Sequence, residues 1–374
     1  MLPYGRQSIS DADIEAVTAV LRGDWLTTGP AVTAFENAVS ELSGGHRAVS
    51  CTSGTAALHI AYAALGVGPG DEVVTTPMTF VATASCAAIL GAKVVFADVD
   101  EDTALIAPSA VEAALTERTK VIAAVDYAGQ AADYAALQPL ADRVGARTLA
   151  DAAHSIGGFA DGRPVGDLAD VTTMSFFPTK NLTTGEGGAV VCKDPAIGRR
   201  AHEFHFIGLV RDPDRFEITD EGPWHQEVHE YGVNYRLTDL GAALGLSQLA
   251  RLADFKRRRA EITARYNSAF ADVDDLRTPV QRAGVDPAWH LYPIRILGDR
   301  RREIFEGMRA AGIGVQVNYI PVYWHPVFAR QGYQRGQCPN AERFYAQELS
   351  LPLFPDLTDS DVDRVIDTLL KLVG

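Results

Sequence analysis

The segment Ser175-Phe176-Phe177-Pro178-Thr179-Lys180-Asn181-Leu182-Thr183-Thr184-Gly185-Glu186-Gly187-Gly188 places one lysine in a turn after an apolar run, among hydroxyls and glycines. An amine there can attack a carbonyl, or it can be an ordinary solvated loop charge. Other turns in the chain bear on that choice. Thr52-Ser53-Gly54-Thr55 separates an apolar run from an alanine-rich one. A Gly/Ser/Thr turn opening a helix offers free N–H groups, hydroxyls and the positive end of the helix dipole to a phosphate, although such residues also cap ordinary helices. Pro77-Met78-Thr79-Phe80 sets an aromatic ring after another run, where it can stack on a flat ligand or fill core space. Asp151, followed by Ala152-Ala153-His154, can hold a protonated heterocyclic nitrogen or cap a turn. His154 beside it can orient a phenolic oxygen or the carboxylate.

The elements that must position these residues are legible as alternating apolar runs and alanine-rich stretches. Runs rich in β-branched residues lie at 47–51, 72–76, 93–98, 121–126, 146–151, 171–176 and 188–192, with helical stretches at 56–64, 81–90, 108–115 and 133–144. This alternation predicts an α/β fold with a mostly parallel sheet covered on both faces, its last strand antiparallel because only the Lys180 loop precedes it. Ligands of such sheets bind outside the carboxyl ends of the strands, where the candidate groups stand. Phosphate cradle, stacking ring, acid, Ser175 and loop lysine are together the parts needed to hold pyridoxal phosphate. Lysine supplies a Schiff base, and the acid keeps the pyridine nitrogen protonated.

Beyond 192 the pattern predicts a helix over 194–206, an irregular exposed or interface segment over 208–233, and long helical patterning over 237–270. Strands at 290–296 and 315–319, a helix at 301–312 and a closing helix at 359–373 predict a smaller α/β domain. The expected division is 1–249 for the large domain with an N-terminal arm and 250–374 for the small one. Gly66-Val67-Gly68-Pro69-Gly70 precedes a strand instead of leading from one into a helix, so it reads as a turn and not as a dinucleotide loop. Lys256-Arg257-Arg258-Arg259 reads as a solvated helix face.

Composition narrows the partners. Acidic residues number 48 against 34 basic ones, a net charge of -14, which disfavours unspecific binding to nucleic acid or to anionic membrane. Cys51, Cys86, Cys192 and Cys338 form no CxxC pair, and Cys51 and Cys192 lie in strand-like runs as core thiols. His202 with His205, and His225 with His229, have helix-like spacings but no HExxH arrangement, so no metal site is expected. No basic-then-apolar leader and no apolar stretch of about eighteen residues occurs, and a cytoplasmic location is the expectation. The sequon Asn181-Leu182-Thr183 is then an accidental match.

Trp25-Leu26-Thr27-Thr28-Gly29, Ser53-Gly54-Thr55, Thr75-Thr76-Pro77-Met78-Thr79-Phe80, Asp151-Ala152-Ala153-His154, the Ser175-to-Gly188 segment and Gly232-Val233-Asn234-Tyr235-Arg236 together resemble the DegT/DnrJ/EryC1/StrS family of nucleotide-sugar aminotransferases. The resemblance spans nearly the whole chain. It implies the fold-type I architecture, a seven-stranded, mostly parallel sheet with helices on both faces plus a smaller C-terminal α/β domain, built as homodimers with shared active sites. It implies pyridoxal 5'-phosphate joined covalently to Lys180, Asp151 on the pyridine nitrogen, Phe80 stacked on the ring and His154 near O3′, where many relatives carry glutamine. Ser53, Gly54, Thr55 and Ser175 would bind the phosphate, with Asn234 reaching it from the neighbouring subunit. L-Glutamate would donate the amino group through a pyridoxamine 5'-phosphate form, and a nucleotide-linked ketosugar would accept it.

Val125-Asp126-Tyr127-Ala128-Gly129 and the Lys180 segment resemble most closely the branch that aminates C4 of a UDP-linked 4-keto-6-deoxy-N-acetylhexosamine on the pseudaminic acid route, although several relatives have histidine where Asp126 stands. Thr27, Thr28, Tyr127, His290, Tyr319 and Tyr323 are the candidates for the sugar and nucleotide environment; the aromatics among them can equally be domain-packing residues. Relatives that dehydrate at C3 carry histidine in place of the lysine, so Lys180 argues against that reaction. Amination at C3, a TDP- or GDP-linked sugar, a cyclitol ketone and a non-enzymatic regulator of the same fold stay open.

Overall fold

All seven apolar runs between 47 and 192 are strands: β1 (Arg47–Cys51), β2 (Glu72–Thr75), β3 (Lys93–Phe96), β4 (Thr119–Val125), β5 (Arg147–Asp151), β6 (Val171–Ser175) and β7 (Gly188–Cys192). The computed structural model describes residues 1–218 and 221–374. The strands form one sheet in the order β1-β7-β6-β5-β4-β2-β3. β7 runs antiparallel to both β1 and β6, and the remaining pairs are parallel. The cause is local. The connection from β6 to β7 contains no helix, so the chain turns straight back, whereas a parallel return needs a crossover. β2 and β6 are buried along their whole length and β4 nearly so, consistent with helices on both faces of the sheet.

Alanine makes the cover thin. The helices Gly54–Ala64 and Ala82–Ile89 pack on each other, and the first also lies on β6 and β7. Small side chains there let the helix start close to the strand ends. The helix Tyr134–Val144 begins on an Asp133 cap and ends on Gly145 in the left-handed region.

The later part of the chain departs from the sequence expectation in three places. The helical patterning over 237–270 is two helices, Asp239–Leu249 and Leu252–Phe270, broken at Ala250-Arg251. Arg259 is not on a solvated face. It is buried, with Nη1 donating to the carbonyls of Leu353 (2.8 Å) and His290 (3.3 Å). The run 315–319 is not a strand, for only Gln316 bridges Ser350, and the Asn318 N–H goes instead to the Glu348 carboxyl at 2.7 Å. The small sheet is therefore β8 (Leu276–Arg277), β9 (Tyr292–Ile296) and β10 (Glu348–Leu351), with β9 central and antiparallel to both.

Residues 219 and 220, in the segment expected to be irregular, lie outside the described residues; around them Leu209–Val210 pairs with Glu227–Val228. His225 and His229 both hydrogen-bond the Glu227 carboxylate, at 3.0 and 2.5 Å. Gly66–Gly70 is a turn into β2, and Cys51 and Cys192 are buried. Among the described residues no helix is long and apolar enough to cross a membrane.

The small sheet is tied to the large one by the turn after β4. Ala128 and Gly129 both have positive φ, 60° and 102°. Their carbonyls accept from the His290 N–H (2.8 Å) and the Ala288 N–H (3.0 Å). A Cβ at Gly129 would lie 2.1 Å from the Ala288 carbonyl oxygen. Gly129→Ala should therefore cost about 2 kcal/mol or more of stability, since backbone must move against backbone. Denaturant unfolding of the two proteins checks this; equal midpoints would contradict it.

Candidate functional site

A cavity of about 600 Å³ opens at the carboxyl ends of β1, β2, β5 and β6. Its floor begins where β1 leads into the helix Gly54–Ala64. Ser53 caps that helix, its hydroxyl accepting from the Ala56 N–H at 3.0 Å. The N–H groups of the first turn, Gly54 and Thr55 among them, have no acceptor within the helix and face the cavity side with the positive dipole end. The turn is packed without slack. A Cβ on Gly54 would lie 2.7 Å from the Ser175 Cβ, and one on Gly188 would lie 2.5 Å from the Ser53 carbonyl oxygen. Glycine at both positions is what lets the helix N-terminus meet the ends of β6 and β7.

The Lys180 loop leaves from the same place. Its own backbone holds it: Lys180 N–H donates to the Phe177 carbonyl (2.9 Å), and Thr184 N–H to the Phe176 carbonyl (3.0 Å). The Thr183 and Thr184 hydroxyls are spent on the carbonyls of Phe176 and Glu186. Asn181 ties the loop across the site, its Nδ2 donating to the Ala288 carbonyl at 2.7 Å and the His154 carbonyl at 3.2 Å. The lysine side chain lines the cavity, and burial lowers its pKa to about 8, Asp151 opposing that shift and Arg259 adding to it.

Asp151 ends β5 and is buried. Its Oδ2 accepts from the Thr83 hydroxyl (2.6 Å) and its Oδ1 from the Ala153 N–H (3.2 Å). Burial pushes its pKa up, against the pull of those donors and of Lys180. His154 stands beyond it, held well below its ordinary pKa by burial and then by Lys180, and is therefore a neutral imidazole. Its Nε2 is 3.1 Å from the Tyr319 hydroxyl, and its ring lies 4.5 Å from the His290 ring, centre to centre. Its Nδ1 is buried and finds no hydrogen-bond partner among the described residues. Phe80 is 57% exposed, unusual for a phenylalanine, and its ring faces Tyr319 at 6.3 Å.

Ser53, Gly54, Thr55, Phe80, Asp151, His154, Ser175, Lys180, His290 and Tyr319 thus all line one cavity. Five expected residues do not. Tyr127 is buried beneath it, donating its hydroxyl to the Asn318 carbonyl at 2.5 Å. Tyr323 is buried against Glu342, to which its hydroxyl donates at 2.6 Å. Each hydroxyl thus donates its proton inside the protein. Thr27 bridges Thr238, Thr28 has a φ of 55°, and Asn234 bridges Phe206, and none of the three lines the cavity.

The lining also includes Thr79, from the Pro77–Phe80 motif, and Tyr4, Gln316 and Asn318, which the sequence did not single out. Tyr4 comes from an arm with no periodicity, and its hydroxyl accepts from Asn318 Nδ2 at 2.8 Å.

A model of the DegT/DnrJ/EryC1/StrS aminotransferase family matches residues 7–370. The chain is 40% identical over 379 aligned residues to the spore coat polysaccharide biosynthesis protein SpsC of Bacillus subtilis (strain 168), covering 100% of this chain and 97% of that protein. The chain belongs to the DegT/DnrJ/EryC1/StrS aminotransferase family. Its structure is similar to that of Spr1654 from Streptococcus pneumoniae in the PLP form (TM-score 0.92, 30% identity, 100% of this chain and 98% of the other). It is equally similar to Helicobacter pylori PseC, an aminotransferase involved in the biosynthesis of pseudoaminic acid (TM-score 0.91, 30% identity, 99% and 98%). This family member is a pyridoxal-phosphate-dependent aminotransferase with the fold-type I architecture, and the non-enzymatic reading falls away.

The residues present fit that cofactor. A helix N-terminus with Ser175 beside it suits a phosphate, and a buried acid suits a protonated ring nitrogen. Lys180, with its pKa near 8, suits attack on an aldehyde at neutral pH. Only the neutral amine attacks, so below about pH 8 the rate of cofactor attachment should rise about tenfold per pH unit and then level off. Stopped-flow absorbance after mixing the apo-protein with pyridoxal phosphate measures this. A rate still climbing steeply above about pH 9 would mean a lysine with its ordinary pKa.

Proposed function

We propose that this aminotransferase moves the amino group of L-glutamate to C4 of a nucleotide-linked 4-keto-6-deoxysugar, a UDP-linked N-acetylhexosamine derivative being the substrate we favour. The observation that carries the reaction type is the placement of Lys180 and Asp151 in one cavity, behind a helix N-terminus. The similarity to PseC, together with the resemblance of the Val125–Gly129 and Lys180 segments, supports the C4 and UDP assignment.

Bound in the cavity, pyridoxal phosphate would supply an electron-withdrawing ring that accepts the amino group as pyridoxamine phosphate and later gives it up. The chain's own residues do the rest. Gly54, Thr55 and the hydroxyls of Ser53 and Ser175 hold the phosphate. Asp151 keeps a proton on the pyridine nitrogen. His154, fixed by Tyr319, orients the phenolic oxygen. Lys180 anchors the cofactor through Nζ. Once displaced, its neutral amine takes a proton from Cα of glutamate and later delivers one to C4 of the ketosugar. Phe80 covers the ring, while His290, Tyr319, Gln316 and Asn318 line the remaining space.

Thr27, Thr28 and Asn234 fit a homodimer in which each chain completes its partner's site, since they stand outside their own cavity. Exposed Trp25 and Leu26 beside Thr27 are consistent with a covered surface there.

Single-turnover amination tests the assignment. The pyridoxamine-phosphate form would be offered UDP-, TDP- and GDP-linked 4-ketosugars with 3-keto analogues. The expected result is cofactor conversion fastest with the UDP-linked 4-keto compound and a 4-amino product. Conversion by TDP- or GDP-sugars alone, or amination at C3, would overturn the substrate assignment.

A further inference from the structure

Thr83 is fully buried in the first turn of the helix Ala82–Ile89, in a run otherwise made of small residues. Its hydroxyl meets three oxygens: Asp151 Oδ2 at 2.6 Å, Thr79 Oγ1 at 2.7 Å and the Phe80 carbonyl at 3.3 Å. A hydroxyl has one proton to give. An ionised carboxylate only accepts, and the contact to Asp151 is the shortest of the three, so the proton goes there. Thr79 must then donate to Thr83. The result is a directed chain, Thr79 to Thr83 to Asp151, ending on the carboxylate. The Tyr62 hydroxyl, donating to the Thr83 carbonyl at 2.8 Å, fixes the helix turn that carries it.

The charges around Asp151 give this chain its importance. Lys180 faces it as a cation, whereas Asp126, Tyr62, Cys86, Tyr134 and Tyr319 are neutral or anionic. Lys180 gives up its positive charge to act as a nucleophile. From that point a buried carboxylate has to be kept ionised by hydrogen bonds, and the two it accepts come from Thr83 and the Ala153 N–H.

We propose that Thr83, backed by Thr79, is a positioning residue that holds the Asp151 carboxylate ionised and presented to the pyridine nitrogen of the cofactor. The proposal rests on the cofactor reading above but is independent of which sugar is aminated. Thr83→Val keeps the shape and removes the donor, and Thr83→Ser keeps the donor.

The test is equilibrium binding of two probes to the apo-proteins, followed by absorbance and fluorescence: pyridoxal phosphate and its 1-deaza analogue, which lacks the ring nitrogen. Thr83→Val should bind pyridoxal phosphate about tenfold or more weakly, as expected for loss of a hydrogen bond to a charged group. It should bind the deaza analogue within about twofold of the parent, and Thr83→Ser should restore pyridoxal phosphate binding to within about threefold. Equal losses for both probes would mean a structural role and overturn the proposal, as would unchanged binding of pyridoxal phosphate. If Thr83→Val melts out, Thr79→Val removes only the outer donor and must show the same probe selectivity at a smaller amplitude. A parent that binds neither probe overturns the cofactor reading and this proposal together. A parent that binds pyridoxal phosphate but aminates no ketosugar overturns only the substrate assignment.

Discussion

The site depends on one steric constraint: the helix N-terminus after β1 has to come within contact of the ends of β6 and β7. Gly54 against Ser175 and Gly188 against the Ser53 carbonyl leave no room for a side chain. That contact exists because β7 runs antiparallel between β1 and β6, so that Cys51 and Ser175 both sit opposite Gly188. A sheet with parallel strands throughout would carry the Lys180 loop away from the phosphate-binding turn. The reversed strand brings the amine, the serine and the dipole to one edge.

Electrostatics then divide the site. Burial, with Arg259 adding to it, lowers the Lys180 pKa to about 8 against the opposing pull of Asp151. His154 and His290 feel Lys180 as well and are held neutral. The neutral imidazole pair, anchored on one side by Tyr319, presents hydrogen-bonding groups without a competing charge. Asp151 is pushed the other way, upward, by burial, and the donors from Thr83 and Ala153, together with Lys180, oppose that shift.

The strands and most helices of the large sheet were legible because β-branched runs and alanine-rich runs differ in period and in residue type. The residues at strand ends were legible with them, since the position of Thr52–Thr55, Phe80, Asp151 and Ser175 follows from where each run stops. The small domain was less so. Residues 315–319 look like a strand, yet the buried acid of Glu348 takes the Asn318 N–H that a strand would have paired. Tyr127 and Tyr323 illustrate a general blindness. A tyrosine two positions from a glycine or proline reads alike whether its hydroxyl meets ligand or, as here, a carbonyl and a glutamate inside the protein. Thr83 was invisible for the opposite reason, being a small residue in an alanine-rich helix whose value lies in a partner 68 positions away.

The central claim is that Lys180, and no other amine, carries the cofactor. Borohydride reduction of the protein loaded with pyridoxal phosphate, followed by peptide mass spectrometry, tests it most directly. A phosphopyridoxyl mass increment confined to the peptide containing Lys180 is the predicted result. Stoichiometric label on another lysine, or no label on a protein that retains the cofactor, would contradict it.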